Sequence, residues 1–404
     1  MISFREAQAI ILEHIEQLPR EERLLSDARN CFLAEELRAP FPVPRFDHSA
    51  VDGFAIKSED IKNATDKTPV SLRVIDTVKT GQPATIAVKP NCAIRIFTGA
   101  MLPPEADAVV MVEDVEFEDD TIRVSTAQKA NKNIRRIGEE FIEDAVCLPY
   151  STRLTPAAIG LAATLGMNRV HVHRKPHVAV LITGSELVEP GLPLLDAQIY
   201  DSNQFALVAA LSELGVDHIA THTCQDDQAA IRLQIESALR DADIVITSGG
   251  ASVGDVDYIK PVILELGGTI YFDKVAIKPG KPTVFATVTS KPVFGLPGNP
   301  VSALVTYLLF VKPALLRMLG DVSKSNQLRS AILNGTLTKR SSRAEFVRAK
   351  LSYEGNDAIA TPCVGQESHM LGGLVTTNAL IVFEGDAGAL PDGSRVTVLP
   401  IQWS

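Results

Sequence analysis

The chain has little cysteine and a deficit of positive charge. Its cysteines are Cys31, Cys92, Cys147, Cys224 and Cys363, five in 404 residues. An odd count without any CxxC spacing speaks against a disulfide scaffold and against a cysteine-built zinc site. The formal net charge is -10. That argues against a dedicated nucleic-acid binder, whose phosphate contacts require clustered Lys and Arg. A small anionic substrate needs only a few local cations and stays open. The N-terminus has no signal-peptide layout. The longest apolar stretch, "VSALVTYLLFV" before Lys312, reads as too short for a membrane span. The expectation is a cytoplasmic protein. No internal repeat and no low-complexity tract is visible.

Hydrophobic residues make up 46% of the chain, so a large core can form, and the length is compatible with two to four domains. Residues 1–40 read as helical by period. Ser3 and Glu6 fit a capping box, and Phe4, Ala7, Ile11, Ile15 and Leu18 share one face. Short β runs such as "LRVIDTV", "CAIRIFT" and "TIRVS" fill 45–140. "LTPAAIGLAATLG" predicts a helix with Thr155 as cap, and "RVHVHRKP" an extended connector. From His177 strands and helices alternate: "HVAVLIT", "DSNQFALVAALSELG", "VDHIATHT", "DDQAAIRLQIESALR", "DIVIT", "VDYIKPVILELGG", "KPVFGL" and the helix that follows Asn299 and Pro300. Continuous apolar strands between helices predict a doubly wound parallel sheet. The texture becomes β again after 327. The division is a helix at 1–20 packing on the α/β domain, a connector from 21–44 and 141–177, a β-rich module at 45–140, an α/β domain at 178–326 and a C-terminal β module at 327–404.

In open α/β sheets ligands sit outside the carboxyl ends of the strands. Three such ends carry unusual residues. The first is "LITGSELVEPG". The second is "DIVITSGGASVGDVDY", with Ser248, Gly249, Gly250, Ser252 and Gly254. The third is "FGLPGNPVSA", with Pro297, Gly298, Asn299 and Pro300. Glycine lets a backbone approach a ligand closely, so the corners together form a candidate phosphate or pterin cradle. Taken singly, each could simply end a strand. The acids Glu186, Asp226, Asp255 and Asp257 follow strand ends, and carboxylates beside a phosphate corner suit a hard divalent cation. Asp226 reads equally as a helix cap. Lys274, Lys278 and Lys281 cluster in "FDKVAIKPGKP", and on a strand Lys274 and Lys278 would share a face. A solvated lysine face is the alternative. His171, His173 and His177 read as ordinary histidines rather than zinc ligands. Ser185 lacks the glycine elbow of a hydrolase nucleophile.

The segments "HSAVDGFAI", "IFTGAMLPPEADAVVMVED", "TGSEL", "QIYDSN", "SGGASVGDVDY", "KPGKP" and "GLPGNPVSA" occur in this order. They resemble the MoeA family, the molybdopterin molybdotransferases, to which the gephyrin E domain belongs. The likeness spans residues 47–368. It implies a multidomain subunit: a central α/β domain of the molybdopterin-binding type, two β-rich modules and a helical connector, elongated and paired as a homodimer. The cleft would lie between the α/β domain of one subunit and the β module of the other. The implied reaction inserts molybdate into adenylylated molybdopterin and releases AMP, with Mg²⁺ required. Recipient molybdoenzymes and other cofactor-biosynthesis enzymes would be partners; nucleic acid and membrane would not. Carried over by motif, Asp52 and Thr98 match functional positions of the first β module. Glu186, Asp226 and Asp257 match acidic positions, Lys274 and Lys278 basic ones, and Pro297 and Pro300 the turn prolines. Arg348 and Ser368 match positions of the C-terminal module. Ser185 stands where the family pattern has a carboxylate, and Val51 and Phe54 where Met and Tyr are commoner. The alternatives are a molybdopterin adenylyltransferase and a non-catalytic, gephyrin-like scaffold.

Overall fold

The computed structural model describes residues 1–249, 258–323, 328–339, 341–385 and 388–403. The chain forms two compact units, one of Met1–Glu35, Tyr150–Ile159 and Asn168–Ser404, the other of Glu36–Pro149 and Gly160–Met167.

In the larger unit a six-stranded sheet runs in the order His218–Cys224, His177–Thr183, Ile244–Ser248, Lys291–Leu296, Val284–Val288, Thr269–Phe272. The first four strands are parallel. Alternation explains why a run such as "HVAVLIT" is apolar throughout. Val178, Val180 and Ile182 face the core under the helices Phe4–Glu13, Asn203–Leu214 and Pro300–Met318. Ala179 and Leu181 face Gln228–Asp241 and Ile259–Glu265 on the other side. The last two strands depart from the all-parallel expectation. Val284–Val288 is antiparallel to Lys291–Leu296, and Thr269–Phe272 is antiparallel to it in turn. The hairpin turns on Thr289 and Ser290, both at positive φ. That geometry is usually announced by Asn-Gly, so "TS" gave no turn signal.

The helix Phe4–Glu13 has its capping box: Ser3 N–H donates to Glu6 Oε2 (2.7 Å) and Glu6 N–H to Ser3 Oγ (3.2 Å). It does not continue through 1–40. Arg20–Leu24 is a strand, paired antiparallel with Arg169–His173, so the expected connector is also a strand. "REERL" alternates exposed and half-buried positions, as a ribbon with one wet face does. The apolar stretch before Lys312 is longer than expected, because the helix runs on through Pro300–Met318. It has the length and hydropathy of a membrane span, but 83% of it is buried within the protein.

C-terminal to that helix, Ala344–Glu354, Asp357–Pro362, Arg329–Leu333, Arg395–Pro400 and Ala379–Phe383 pair in sequence, and the last strand pairs back with the first. Closure removes the exposed edges. Ile277–Lys278, from the "KPGKP" segment, adds to Ala344–Glu354 in parallel, which fastens the barrel to the α/β domain.

The smaller unit holds a six-stranded sheet in the order Ala108–Met111, Gly53–Ile56, Cys92–Ile96, Val70–Val78, Thr121–Val124, Val115–Glu118. Phe54, Ile56 and Val110 pack on one face, Ala55, Ile94 and Val109 on the other. Phe54 is fully buried, its ring tilted against Phe117 (centroids 5.3 Å apart) with the Arg95 guanidinium 5.7 Å from its ring centre. A hydroxyl there would need a buried partner, which accounts for Phe in place of Tyr. Gly53 is required by packing: a Cβ would sit 1.9 Å from Val110 O. Gly53→Ala is expected to destabilise the protein by about 3 kcal/mol or more in denaturant unfolding, since rigid backbone must move to relieve the clash.

Candidate active site

At the carboxyl ends of the parallel strands lies a cleft of about 740 Å³, to which all three glycine corners contribute. Asn203, the first residue of the helix Asn203–Leu214, stitches two of them together. Its Nδ2 donates to Ser248 Oγ (2.9 Å) and to Gly298 O (2.7 Å). Ser248 Oγ in turn donates to Pro297 O (3.3 Å). The Ser248 hydroxyl is therefore used up internally and its side chain is buried. Gly249, at positive φ, passes so close to the first corner that a Cβ would meet Thr183 O at 2.2 Å. These contacts bring strand ends that are distant in sequence into one pocket. Sequence reasoning passed over Asn203, although it lies in "QIYDSN"; the signal was a polar residue on the inward face of an apolar helix.

Glu186 and Asp226 both line this cleft, as does Asp201. Asp226 is not the helix cap: Asp227 takes that place, its Oδ1 accepting from Ala230 N–H at 2.8 Å. Asp226 is thereby free for the cleft, and its Oδ2 accepts from Ser185 N–H at 3.3 Å. Asp201 is likewise a local cap, accepting from Gln204 N–H (3.1 Å). Thr183 also lines the cleft, and its buried Oγ1, close to Gly249, finds no hydrogen-bond partner among the described residues. Two carboxylates and an unsatisfied hydroxyl are oxygen donors of the kind a hard divalent cation takes when phosphate and water complete its shell. Among the described residues no group of three or more His, Cys, Asp or Glu is arranged to hold a metal ion. Asp257, the third acid expected there, lies outside the described residues, as do Asp255, Gly250, Ser252 and Gly254. The nearby Cys224 thiol is pushed up to about 11 by burial and by Asp226 and Asp227, so it stays protonated at neutral pH.

A second cleft, about 380 Å³, opens between the "KPGKP" turn and the C-terminal barrel, with Pro282 common to both clefts. Lys278, Lys281, Arg343 and Ser368 line it. Lys278 Nζ stands 3.6 Å from Glu345 Oε1. Lys274 does not share a strand with Lys278. One strand ends at Phe272 in the α/β sheet and a separate one, Ile277–Lys278, joins the barrel sheet; half-buried Lys274 lies between them and is not among the residues lining either cleft. Arg348 is 1% exposed, and its guanidinium is engaged by the protein itself. It donates to Met370 O (2.7 Å), Gly365 O (2.6 Å) and Glu367 O (3.0 Å). It thus shapes the loop that carries Ser368. Among the histidines, His171 Nδ1 lies 2.6 Å from Glu35, His173 Nδ1 lies 2.7 Å from Leu18 O, and the His177 ring packs at a tilt against His218.

In the smaller unit Asp52 and Thr98 meet directly. Asp52 Oδ1 accepts from Thr98 N–H (2.7 Å) and from Thr98 Oγ1–H (2.8 Å). Those bonds, the backbone one first, hold the Asp52 carboxyl below its ordinary pKa.

A doubly wound sheet with an acid-lined cleft beside a lysine-lined one, joined to a closed barrel and accompanied by a β-rich unit, defines a multidomain α/β enzyme that handles anions. Family models match in chain order: "MoeA N-terminal region (domain I and II)" over 2–166, "Probable molybdopterin binding domain" over 179–317 and "MoeA C-terminal region (domain IV)" over 330–401. A molybdopterin molybdenumtransferase of Haemophilus influenzae is 39% identical, covering 99% of this chain and 98% of its own. Molybdopterin molybdenumtransferase 2 of Mycobacterium tuberculosis is 35% identical over 98% of this chain and 99% of its own. The crystal structure of a molybdopterin biosynthesis moeA protein from Pyrococcus horikoshii superposes with a TM-score of 0.82 at 31% identity, covering 99% of this chain and 100% of that one. The chain belongs to the MoeA family of molybdopterin molybdenumtransferases.

Two measurements test this geometry. Folding lowers the Asp52 pKa, so its stabilising contribution is present above the unfolded-state pKa and is lost as pH falls through the folded value. Thr98→Val removes one donor and is expected to move the folded pKa back up, read by carbon-detected NMR titration. Arg348→Met strands three carbonyls. It is expected to cost about 3 kcal/mol and to raise hydrogen exchange over 365–370.

Proposed function

We infer that the protein acts in molybdenum cofactor biosynthesis, transferring molybdenum to molybdopterin. The observation that carries this reading is the convergence of three strand ends, two of them stitched by Asn203, around Glu186 and Asp226, next to a lysine-lined cleft. The substrate form we propose is adenylylated molybdopterin. Its phosphate anhydride would rest on the backbone of Gly249, Gly298 and Asn299, where glycine leaves room for close approach. Glu186 and Asp226, joined by Asp257, would hold Mg²⁺. When bound, Mg²⁺ would neutralise charge on phosphate oxygens. Molybdate is the second substrate. Lys278, with Lys281 and the Ser368 hydroxyl, offers an oxyanion the charge and donors it needs. Lys274 and Arg348, also expected to attract it, support the reading less: one is away from the clefts and the other is committed to backbone carbonyls.

Water enters across the anhydride, giving AMP and a pterin phosphate, while the two dithiolene thiols bind the molybdenum of molybdate and their two protons leave with one molybdate oxygen as water. The residues supply position and charge, and no protein nucleophile is needed. Asp52 and Thr98 are proposed as functional residues of the β module, with the active unit a homodimer in the cytoplasm.

The test combines complementation of a strain lacking this step with AMP release in vitro. The wild type should restore molybdoenzyme activity. Asp226→Asn should still bind AMP but release it from substrate at least about 100-fold more slowly, the scale of losing one electrostatic group at a reacting phosphate. Failure of the wild type to complement, or wild-type AMP release by the variant, overturns the reading.

A further inference from the structure

We infer that His369 is a substrate-binding residue of the acid-lined cleft, donating an N–H to the phosphate of the bound nucleotide. The inference rests on the reading of that cleft as the nucleotide site.

Glu186, Asp201 and Asp226 line the cleft, and the cations of "KPGKP" line its neighbour instead. Among the described lining residues, His369 is the one side chain able to carry positive charge. A phosphate entering beside three carboxylates is repelled. A divalent cation offsets part of that repulsion, and the protein must supply the remaining donors.

The position of His369 is built, not incidental. It sits on the loop that Arg348 secures through Gly365, Glu367 and Met370 carbonyls. Gln366 adds a further tie: its Oε1 accepts from Arg348 N–H (3.0 Å), and its Nε2 donates to Arg348 O (2.9 Å) and Cys363 O (2.8 Å). The loop is then pinned to the α/β domain, because Val301 N–H donates to Ser368 O at 3.2 Å. Val301 lies in the first turn after the Pro297-Gly298-Asn299-Pro300 corner, so this bond fixes His369 against the same corner that lines the cleft. Successive residues thus serve different clefts: Ser368 faces the lysines and His369 the acids. The His369 side chain is exposed and makes no hydrogen bond to the described residues, so its ring is available to a ligand. On this account the C-terminal barrel contributes chemistry to the nucleotide cleft, not stability alone.

The experiment measures AMP binding by calorimetry at pH 6.5 in EDTA and again with Mg²⁺. It compares wild type, His369→Ala, His369→Lys and His369→Glu, with melting temperature as the fold check. Loss of a charge-assisted donor should weaken AMP binding about tenfold in the Ala variant. The Lys variant should stay within about threefold of wild type, and the Glu variant should bind more weakly than Ala. All should melt near the wild-type temperature, since the side chain is exposed. Wild-type affinity in the Ala and Glu variants overturns the role of His369 and leaves the cleft assignment standing. Absence of AMP binding by the wild type in both buffers overturns the cleft assignment, and the inference with it.

Discussion

The structure depends on one close approach of backbones. Gly249 runs against Thr183 O, and Asn203 holds the next turn in place by bonding both Ser248 and Gly298. A side chain at Gly249 would wedge the corners apart. Were the Asn203 amide missing, the buried Ser248 hydroxyl and the Gly298 carbonyl would lose a shared partner. Glu186 follows the first of these corners, and the loop from the barrel is pinned just after the third by the Val301–Ser368 bond.

Around them charge is sorted into two adjacent pockets. Carboxylates gather where the parallel strands end, and cations gather where "KPGKP" joins the barrel, with Pro282 between. Within the cationic pocket Lys278 is balanced by Glu345 at 3.6 Å, and the two pockets can address different parts of an anionic reaction. The residues that set this layout are mostly buried and fully bonded. Ser248 and Arg348 both read as ligand-binding groups in the sequence, yet both spend their hydrogen bonds on the protein's own carbonyls. In this structure those bonds hold neighbouring turns and loops in place.

Local signals were legible wherever the chemistry is local. The Ser3–Glu6 capping box, the Gly215 stop in the left-handed region and the alternating strands of the α/β domain could all be read from neighbouring residues. Errors arose where a distant partner decides. Arg20–Leu24 is a strand because Arg169–His173 pairs with it, although its own residues are good helix formers. Lys274 dropped out of the cationic face because the strand breaks after Phe272.

The sequence by itself determined the family, the order of the modules and the set of motifs from which a site can be built, because these are carried by the identity and spacing of residues along the chain. Only the tertiary structure decided which members meet. Asp226 was released to the cleft because Asp227 took the cap. Arg348 turned inward, and His369, unremarked in the chain, was set beside the acids by a barrel loop. The physical reason is that a hydrogen bond has a limited number of donors and acceptors. Which partner wins depends on distances between residues far apart in the chain, and those exist only once the core has packed.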